Sequence, residues 1–273
     1  MVIFPNAKIN IGLWVTSLRN DGFHNIESVF YPIGLKDAYE FVINDSGNDS
    51  DEFTQTGINT DCPMNQNLVI KALNLLRSKY NIPALRMHLH KAIPMGAGLG
   101  GGSSDASFVL RYLNRYFELG LETEDLKLLA EELGSDCPFF IDNKVSLARG
   151  RGEILNELDN VLCGMHIIII NPGIHINTAQ AYSGLKAKKR DNSLQEFYSL
   201  PIDSWRDNIE NDFEASVFQS HPEIKEIKKE LYKQGALYSS MTGSGSSVYG
   251  IFTEKPPQSI LSRYWSWTGI LSY

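Results

Sequence analysis

The densest chemical signal in the chain is Pro94-Met95-Gly96-Ala97-Gly98-Leu99-Gly100-Gly101-Gly102-Ser103-Ser104-Asp105. Five glycines fall in the seven positions 96–102. Such density costs folding entropy that an ordinary turn does not require. It suits a backbone that must approach a ligand closely and turn its N–H groups toward it. Ala106, Val109, Leu110, Leu113 and Phe117 follow at helical spacing, so a helix is expected to open at Ser103 or Ser104. Backbone amides and the positive end of a helix together form a site for phosphate oxygens. A flexible surface hinge, the rival reading, leaves the helix directly behind the loop unexplained. A Walker A loop would end in Gly-Lys-Ser/Thr, whereas Gly102 is followed by Ser103-Ser104. Gly96 to Gly101 spells G-x-G-x-x-G, but the preceding strand is half polar and Pro94 intervenes, so a dinucleotide fingerprint lacks its context.

The elements that must position this loop are legible in outline. Ile9, Ile11, Leu13 and Val15 alternate with Lys8, Asn10 and Gly12, which predicts a strand over 8–15 with one polar face. Asn20-Asp21-Gly22 is a turn signal, and residues 44–51 form a polar loop. Asn67 can cap a helix running to about Tyr80, with Leu68, Ala72, Leu75 and Leu76 as its apolar stripe. Leu85, Met87 and Leu89 alternate with polar residues as a half-exposed strand leading into the loop. Thr123 can cap a helix through Leu133, with Gly134 in the left-handed position that ends it. A strand over Met165–Ile170, a helix opened by Pro222 and reading to Gln234, and a strand over Val248–Phe252 follow. The aromatic stretch 256–273 is expected to pack on the second domain. Helices and strands mix without a βαβ rhythm, which favours an α+β fold with mixed or antiparallel sheets.

Composition removes several classes. The chain has 273 residues, enough for about two domains, and a net charge of −7. A net acidic chain makes a poor general nucleic-acid binder, because phosphate neutralisation needs clustered Lys and Arg. Cys62, Cys137 and Cys163 lie far apart with no metal-ligand spacing. The N-terminus lacks the pattern of a signal peptide, and the apolar run Ile167–Ile170 is far too short to span a bilayer. These features predict a cytoplasmic protein with no membrane partner.

Other residues carry chemistry with bland rivals beside it. Asp136 lies just past a helix end and two residues before Pro138, as a carboxylate aimed into a cleft or as a helix cap. Lys8 reads as a functional cation or as an edge lysine. Phe23 and His24 read as a ligand pair, or as a core aromatic and a turn histidine.

Taken together, these motifs resemble the GHMP kinase superfamily. Pro94–Ser104 with Asp105-Ala106 is similar to its second motif, and Met241-Thr242-Gly243-Ser244-Gly245-Ser246-Ser247 to its third. Pro5-Asn6-Ala7-Lys8-Ile9-Asn10, Asp21-Gly22-Phe23-His24, Gly100–Asp105 and Gly134-Ser135-Asp136-Cys137-Pro138-Phe139-Phe140 narrow the resemblance. They point to the branch that phosphorylates a cytidine-diphosphate-linked polyol in the non-mevalonate isoprenoid route. The resemblance spans residues 5 to about 252.

The resemblance implies an α+β fold of two domains, an ATP-binding one over 1–160 and a second over 161–273, with a cleft between them. It implies transfer of the ATP γ-phosphoryl group to a tertiary hydroxyl, with Asp136 taking the proton and Lys8 neutralising developing charge. Pro94–Ser104 would cradle the triphosphate, with Lys91 and Asn67 flanking adenine; a solvated lysine and a plain helix cap are their rivals. Asn10 would bind polar groups of the substrate. Cytosine would lie between Phe23 and Tyr182 and be read by His24, with Thr178 on the polyol or phosphates. Position 23 is usually Tyr in that branch; Phe keeps the stacking surface and drops a hydroxyl. Gly243 and Ser244 belong to the second loop, which closes on the substrate diphosphate or braces the first loop. ATP brings Mg2+, held mainly by phosphate oxygens and water, with Ser104 and Asp105 as side-chain candidates. Competing readings are a mevalonate- or homoserine-type kinase, a catalytically silent nucleotide binder and an NAD oxidoreductase. The oligomeric state is left unassigned.

Overall fold

The sheets form where alternating apolar residues lie on both sides of tight polar turns. The computed structural model describes residues 2–45, 50–58, 63–176, 181–182, 185, 187–257 and 263–272. Its strands are β1 (Val2–Ile3), β2 (Asn6–Leu18), β3 (His24–Lys36), β4 (Ala38–Ile43), β5 (Glu52–Gly57), β6 (Leu85–Lys91), β7 (Ser146–Gly150), β8 (Ile154–Glu157), β9 (His166–Asn171), β10 (Tyr238–Met241), β11 (Val248–Phe252) and β12 (Trp265–Ile270). The helices are α1 (Leu68–Arg77), α2 (Gly101–Tyr116), α3 (Thr123–Leu133), α4 (Cys137–Asp142), α5 (Leu194–Tyr198), α6 (Trp205–Asn208), α7 (Glu214–Ser220) and α8 (Pro222–Lys233). No helix of the described residues is long and apolar enough to cross a membrane.

The chain divides into two compact units, but not at residue 160. One unit comprises Met1–Ala7, Leu35–Met95 and Gly100–Asn143; the other comprises Lys8–Gly34, Gly96–Leu99 and Lys144–Tyr273. β2 and β3 share a sheet with β7 and β8, in the order β2-β3-β7-β8. Residues 8–34 group with the C-terminal half because β2 also meets it, the Leu13 N–H donating to Glu210 O at 3.1 Å and the Val15 N–H to Asp212 at 2.7 Å. Strand pairing is decided across more than a hundred residues of chain, where local composition carries no signal.

The first unit holds a mixed sheet, β1-β4-β6-β5. β4 pairs antiparallel with β6, and β5 pairs parallel with it. Leu85, Met87 and Leu89 are buried as their alternation requires. α1 opens at the Asn67 cap, whose side chain accepts from the Val69 N–H at 2.9 Å. Its buried stripe is Val69, Ile70, Ala72, Leu73 and Leu76, in place of the expected set that included Leu68 and Leu75. α2 starts at Gly101, two or three residues earlier than expected. Gly100 caps it at a left-handed φ of 69°, and the Ser104 N–H closes the first turn on Gly100 O at 2.9 Å. α3 is capped by Glu122 through a reciprocal box with Asp125 rather than by Thr123. Gly134 ends it at φ 164°, which is extended backbone and not the left-handed turn expected.

The second unit adds an all-antiparallel sheet, β10-β11-β9-β12. The aromatic C-terminal stretch supplies its edge strand β12. Ile168, Ile170, Ile224, Ile227, Leu231, Val248 and Phe252 make its core with Leu13 and Val15 of β2. The polar face of β2 is buried too: Lys8, Asn10 and Gly12 lie inside as fully as Ile9 and Ile11. Polar side chains buried in this way must find partners within the fold, and those partners define half of the site.

Candidate active site

In the first unit, the N-terminus of α2 presents its amides directly behind the glycine-rich loop. The Ser104 hydroxyl in the first turn is buried and has no hydrogen-bond partner. A buried orphan hydroxyl beside free helix amides is a donor set that suits phosphate oxygens and a phosphate-bound cation. No cluster of three or more His, Cys, Asp or Glu side chains gathers to hold a metal among the described residues. The buried Ser104 hydroxyl beside the α2 amides fits a Mg2+ ion carried by a nucleotide.

α2 also holds the Asp136 corner. Ser107 donates to the carbonyl of Cys137 at 2.7 Å. Burial pushes the Cys137 thiol up to about 11, the adjacent Asp136 charge adds to this, and hydrogen bonds with Ser103 and Ser107 oppose it. Asp136 occupies the N-cap position of α4 but makes no capping hydrogen bond there, so the bland rival role is unfilled. The far end of α4 is fixed as well. Asn143 closes it at a left-handed φ of 56° and exchanges amide hydrogen bonds of 2.7 and 3.2 Å with Asn6.

Two candidates expected near adenine have other duties in this unit. Asn67 caps α1. The Lys91 ammonium is buried against Asp37 and Asp105. Burial pulls its pKa down, but the two carboxylates outweigh burial and hold it above the ordinary lysine value. Asp105 is only 3% exposed; its Oδ2 is turned to Lys91, while its Oδ1 is buried without a hydrogen-bond partner.

In the second unit, Lys8 Nζ donates to Asn10 Oδ1 and lies 4.3 Å from the centre of the Phe30 ring. Asn10 donates to Ser28 at 2.8 Å, and Ser28 donates to Gly12 O at 2.6 Å. The Asn10 N–H donates to Thr242 Oγ1 at 3.0 Å, and Thr242 donates to Gly98 O at 2.9 Å. Lys8 N–H meets Leu99 O at 3.0 Å, and Ser247 N–H meets Ala97 O at 3.3 Å. Thr242 thus ties β2, the first loop and the second loop together. Gly98 has φ +76°, and a Cβ there would stand 1.9 Å from Thr242 O, so only glycine permits this approach. Asn211 steadies the second loop by donating to Met241 O and Gly243 O, each at 2.8 Å. The second loop thus meets the first through the Thr242 hydroxyl and the Ser247 N–H.

The aromatic residues form a second cluster in the same unit. His24 stacks on Tyr182 with ring centres 4.9 Å apart, and Tyr182 meets Phe213 edge-on at 4.8 Å. Phe23 is 55% exposed, and the Arg151 guanidinium lies 5.4 Å from its ring centre. His24 itself, and not Phe23, faces Tyr182. Thr178 and its neighbours 177–180 lie outside the described residues.

Asn6, Asp37, Ser107, Ser28, Asn211 and Arg151 were not singled out from the sequence. Asn6 sits inside a quoted motif, and Ser107 directly follows another. The other four carry no local signal, because their roles depend on partners far along the chain.

With this geometry in place, the comparisons with known proteins acquire structural meaning. Residues 67–144 match the N-terminal domain of GHMP kinases, and residues 193–266 match their C-terminal domain. The chain belongs to the GHMP kinase family, the small-molecule, ATP-dependent phosphotransferases whose loop and helix arrangement it carries. Its full-length relatives include a 4-diphosphocytidyl-2-C-methyl-D-erythritol kinase of Parabacteroides distasonis, 48% identical over all of both chains. One of the same name from Porphyromonas gingivalis is 48% identical over 94% of this chain and 93% of its own. A crystal structure of 4-(cytidine 5'-diphospho)-2C-methyl-D-erythritol kinase superposes with a TM-score of 0.82 at 28% identity, covering both chains fully. The mevalonate kinase of Methanococcus jannaschii shares the fold, with a TM-score of 0.73 at 10% identity over 100% of this chain and 98% of its own.

Proposed function

We propose that this kinase transfers the γ-phosphoryl group of ATP to the 2-hydroxyl of 4-diphosphocytidyl-2-C-methyl-D-erythritol, a cytoplasmic step of the non-mevalonate isoprenoid route. The observation that carries the chemistry is the tether between the Asp136-Cys137 corner and α2. It holds the corner that carries the Asp136 carboxylate against the helix whose N-terminus suits the triphosphate. The names and full-length identity of the relatives support the acceptor.

In this reading the substrate oxygen attacks the γ-phosphorus, its proton passes to the Asp136 carboxylate, and the bond to the β-phosphate oxygen breaks to release ADP. The loop amides from Gly96 to Gly102 and the α2 N-terminus hold the phosphates. Mg2+, when bound with ATP, neutralises phosphate charge, and Ser104 with phosphate oxygens and water would hold it. Lys8 supplies positive charge to the transferring group, and Asn10 orients Lys8 through its side-chain oxygen. Phe23, His24 and Tyr182 offer the aromatic surface that a cytosine requires and that mevalonate or homoserine does not, with Gly243 and Ser244 toward the polyol diphosphate.

The test is ADP release with Mg-ATP and, in separate wells, the cytidyl acceptor, mevalonate, homoserine or no acceptor. Turnover with the cytidyl acceptor alone is expected. Turnover with mevalonate or homoserine instead would overturn the acceptor, and ATP binding without turnover would overturn the activity.

A further inference from the structure

Lys91, Asp37 and Asp105 form a charged cluster with no contact role in the chemistry above. Their side chains are 2%, 0% and 3% exposed. Burying a cation with two carboxylates is a poor way to gain stability, since well-packed apolar groups usually do as well. The hydrogen bonds indicate what the cluster does instead. Lys91 Nζ donates to Asp37 Oδ2, and to Asp105 Oδ2 at 2.7 Å. The other oxygen of Asp37 accepts from the Ala92 and Ile93 N–H groups at 2.6 and 2.8 Å. The chain entering the glycine-rich loop is thereby held at 91–93. Asp105 lies in the second turn of α2, so the chain leaving the loop is held by the same lysine. Gly101 closes the joint: a Cβ there would lie 2.9 Å from Ile93 Cγ2 and 3.4 Å from Lys91 Nζ.

We propose that the Lys91–Asp37–Asp105 cluster is a positioning device that clamps the two ends of the glycine-rich loop together and so sets the α2 amides for the nucleotide triphosphate. Lys91 acts through the loop and not on adenine. The inference rests on reading that loop as the triphosphate cradle.

The test compares Lys91→Met, Asp105→Leu and Asp105→Asn in the full chain. The first two keep side-chain size but remove the ionic link; the third keeps an acceptor oxygen for Lys91. Lys91→Met and Asp105→Leu are expected to raise KM for ATP about tenfold or more and leave KM for the alcohol acceptor within about twofold. Amide exchange over 92–104 should quicken in both, while Asp105→Asn stays within about threefold of wild type in KM for ATP. Folded Lys91→Met and Asp105→Leu with unchanged KM for ATP would overturn the proposal, as would equal shifts in both KM values. Loss of ATP-over-GTP preference in Lys91→Met, with Asp105→Leu unaffected, would return Lys91 to adenine and also overturn it. If neither variant folds, Asp37→Asn decides by the same KM split. Gly102→Ala separates the two readings. If it too leaves KM for ATP unchanged, the cradle reading itself has failed; if it alone raises KM, only the clamp has failed.

Discussion

Two alanine substitutions in one loop should act in opposite ways, because two of its glycines are there for different reasons. At Gly98 the fold itself forbids a side chain. The backbone is left-handed, which costs a non-glycine residue about 1–2 kcal/mol, and a Cβ would stand 1.9 Å from Thr242 O. The loops must separate, and the Thr242 to Gly98 hydrogen bond goes with them at a cost of about 1 kcal/mol. Gly98→Ala should therefore destabilise by about 2–3 kcal/mol, which lowers Tm by roughly 5–10 °C for a chain of this size. At Gly102 the fold has room. Its nearest neighbour for a Cβ is Leu68 Cδ1 at 3.7 Å, an ordinary contact. It lies in the first turn of α2, where alanine gains about 0.5–1 kcal/mol over glycine. If the fold does not need Gly102, the ligand does. Gly102→Ala should raise Tm by about 1–3 °C and raise KM for ATP about tenfold, an effect of about 1.4 kcal/mol. The assays are a thermal melt without nucleotide and steady-state ADP release against ATP concentration. An unchanged Tm in Gly98→Ala would refute the contact between the loops. A KM for ATP within twofold of wild type in Gly102→Ala would refute the close approach of the triphosphate.

Other substitutions test the remaining parts of the site. Asp136→Asn should fold and bind ATP but lose about a hundredfold or more in kcat; single-turnover kinetics retaining about a tenth of wild-type rate would remove it from the base role. Arg151→Ala removes the cation over Phe23 and should raise KM for the cytidyl acceptor about two- to fivefold, with KM for ATP unchanged in the same titrations. Burial pushes the Asp212 carboxyl up, but Arg190 at 2.7 Å and the Val15 N–H outweigh burial and hold it below the usual carboxylate range. A depressed folded pKa contributes stability above the unfolded value, and that stability is lost as pH falls through the folded one. Asp212→Asn should cost about 2 kcal/mol at pH 7, with the gap to wild type in urea midpoint closing as pH falls below about 3.9.

Much of the site was legible because its signals are local. Glycine density, the helix behind it and the turn before Phe23 depend on neighbours within a few residues, and the structure has all three, with the helix opening two or three residues earlier than the pattern puts it. Propensity sets the start of α2 too late, because glycine is a poor helix former and Gly101-Gly102 has the pattern of a loop. There, close packing on Ile93 outweighs propensity. β2 was read as having one polar face because alternation cannot tell water from a buried polar network. Ser28 and Thr242 decided that Lys8 and Asn10 lie inside.

By itself, the sequence determined the α+β class, the glycine-rich loop and the motifs that mark a GHMP kinase. All of these are written in contiguous residues whose conformational preferences act over one or two turns. Tertiary structure alone decided that residues 8–34 fold with the C-terminal half. It also decided that Lys91 is spent on Asp37 and Asp105, and that Ser107 holds the Asp136 corner to α2. Each of these joins residues 14 to 54 or more positions apart. A buried charge or hydroxyl must be satisfied by whatever the folded chain brings beside it, and no local pattern names that partner in advance.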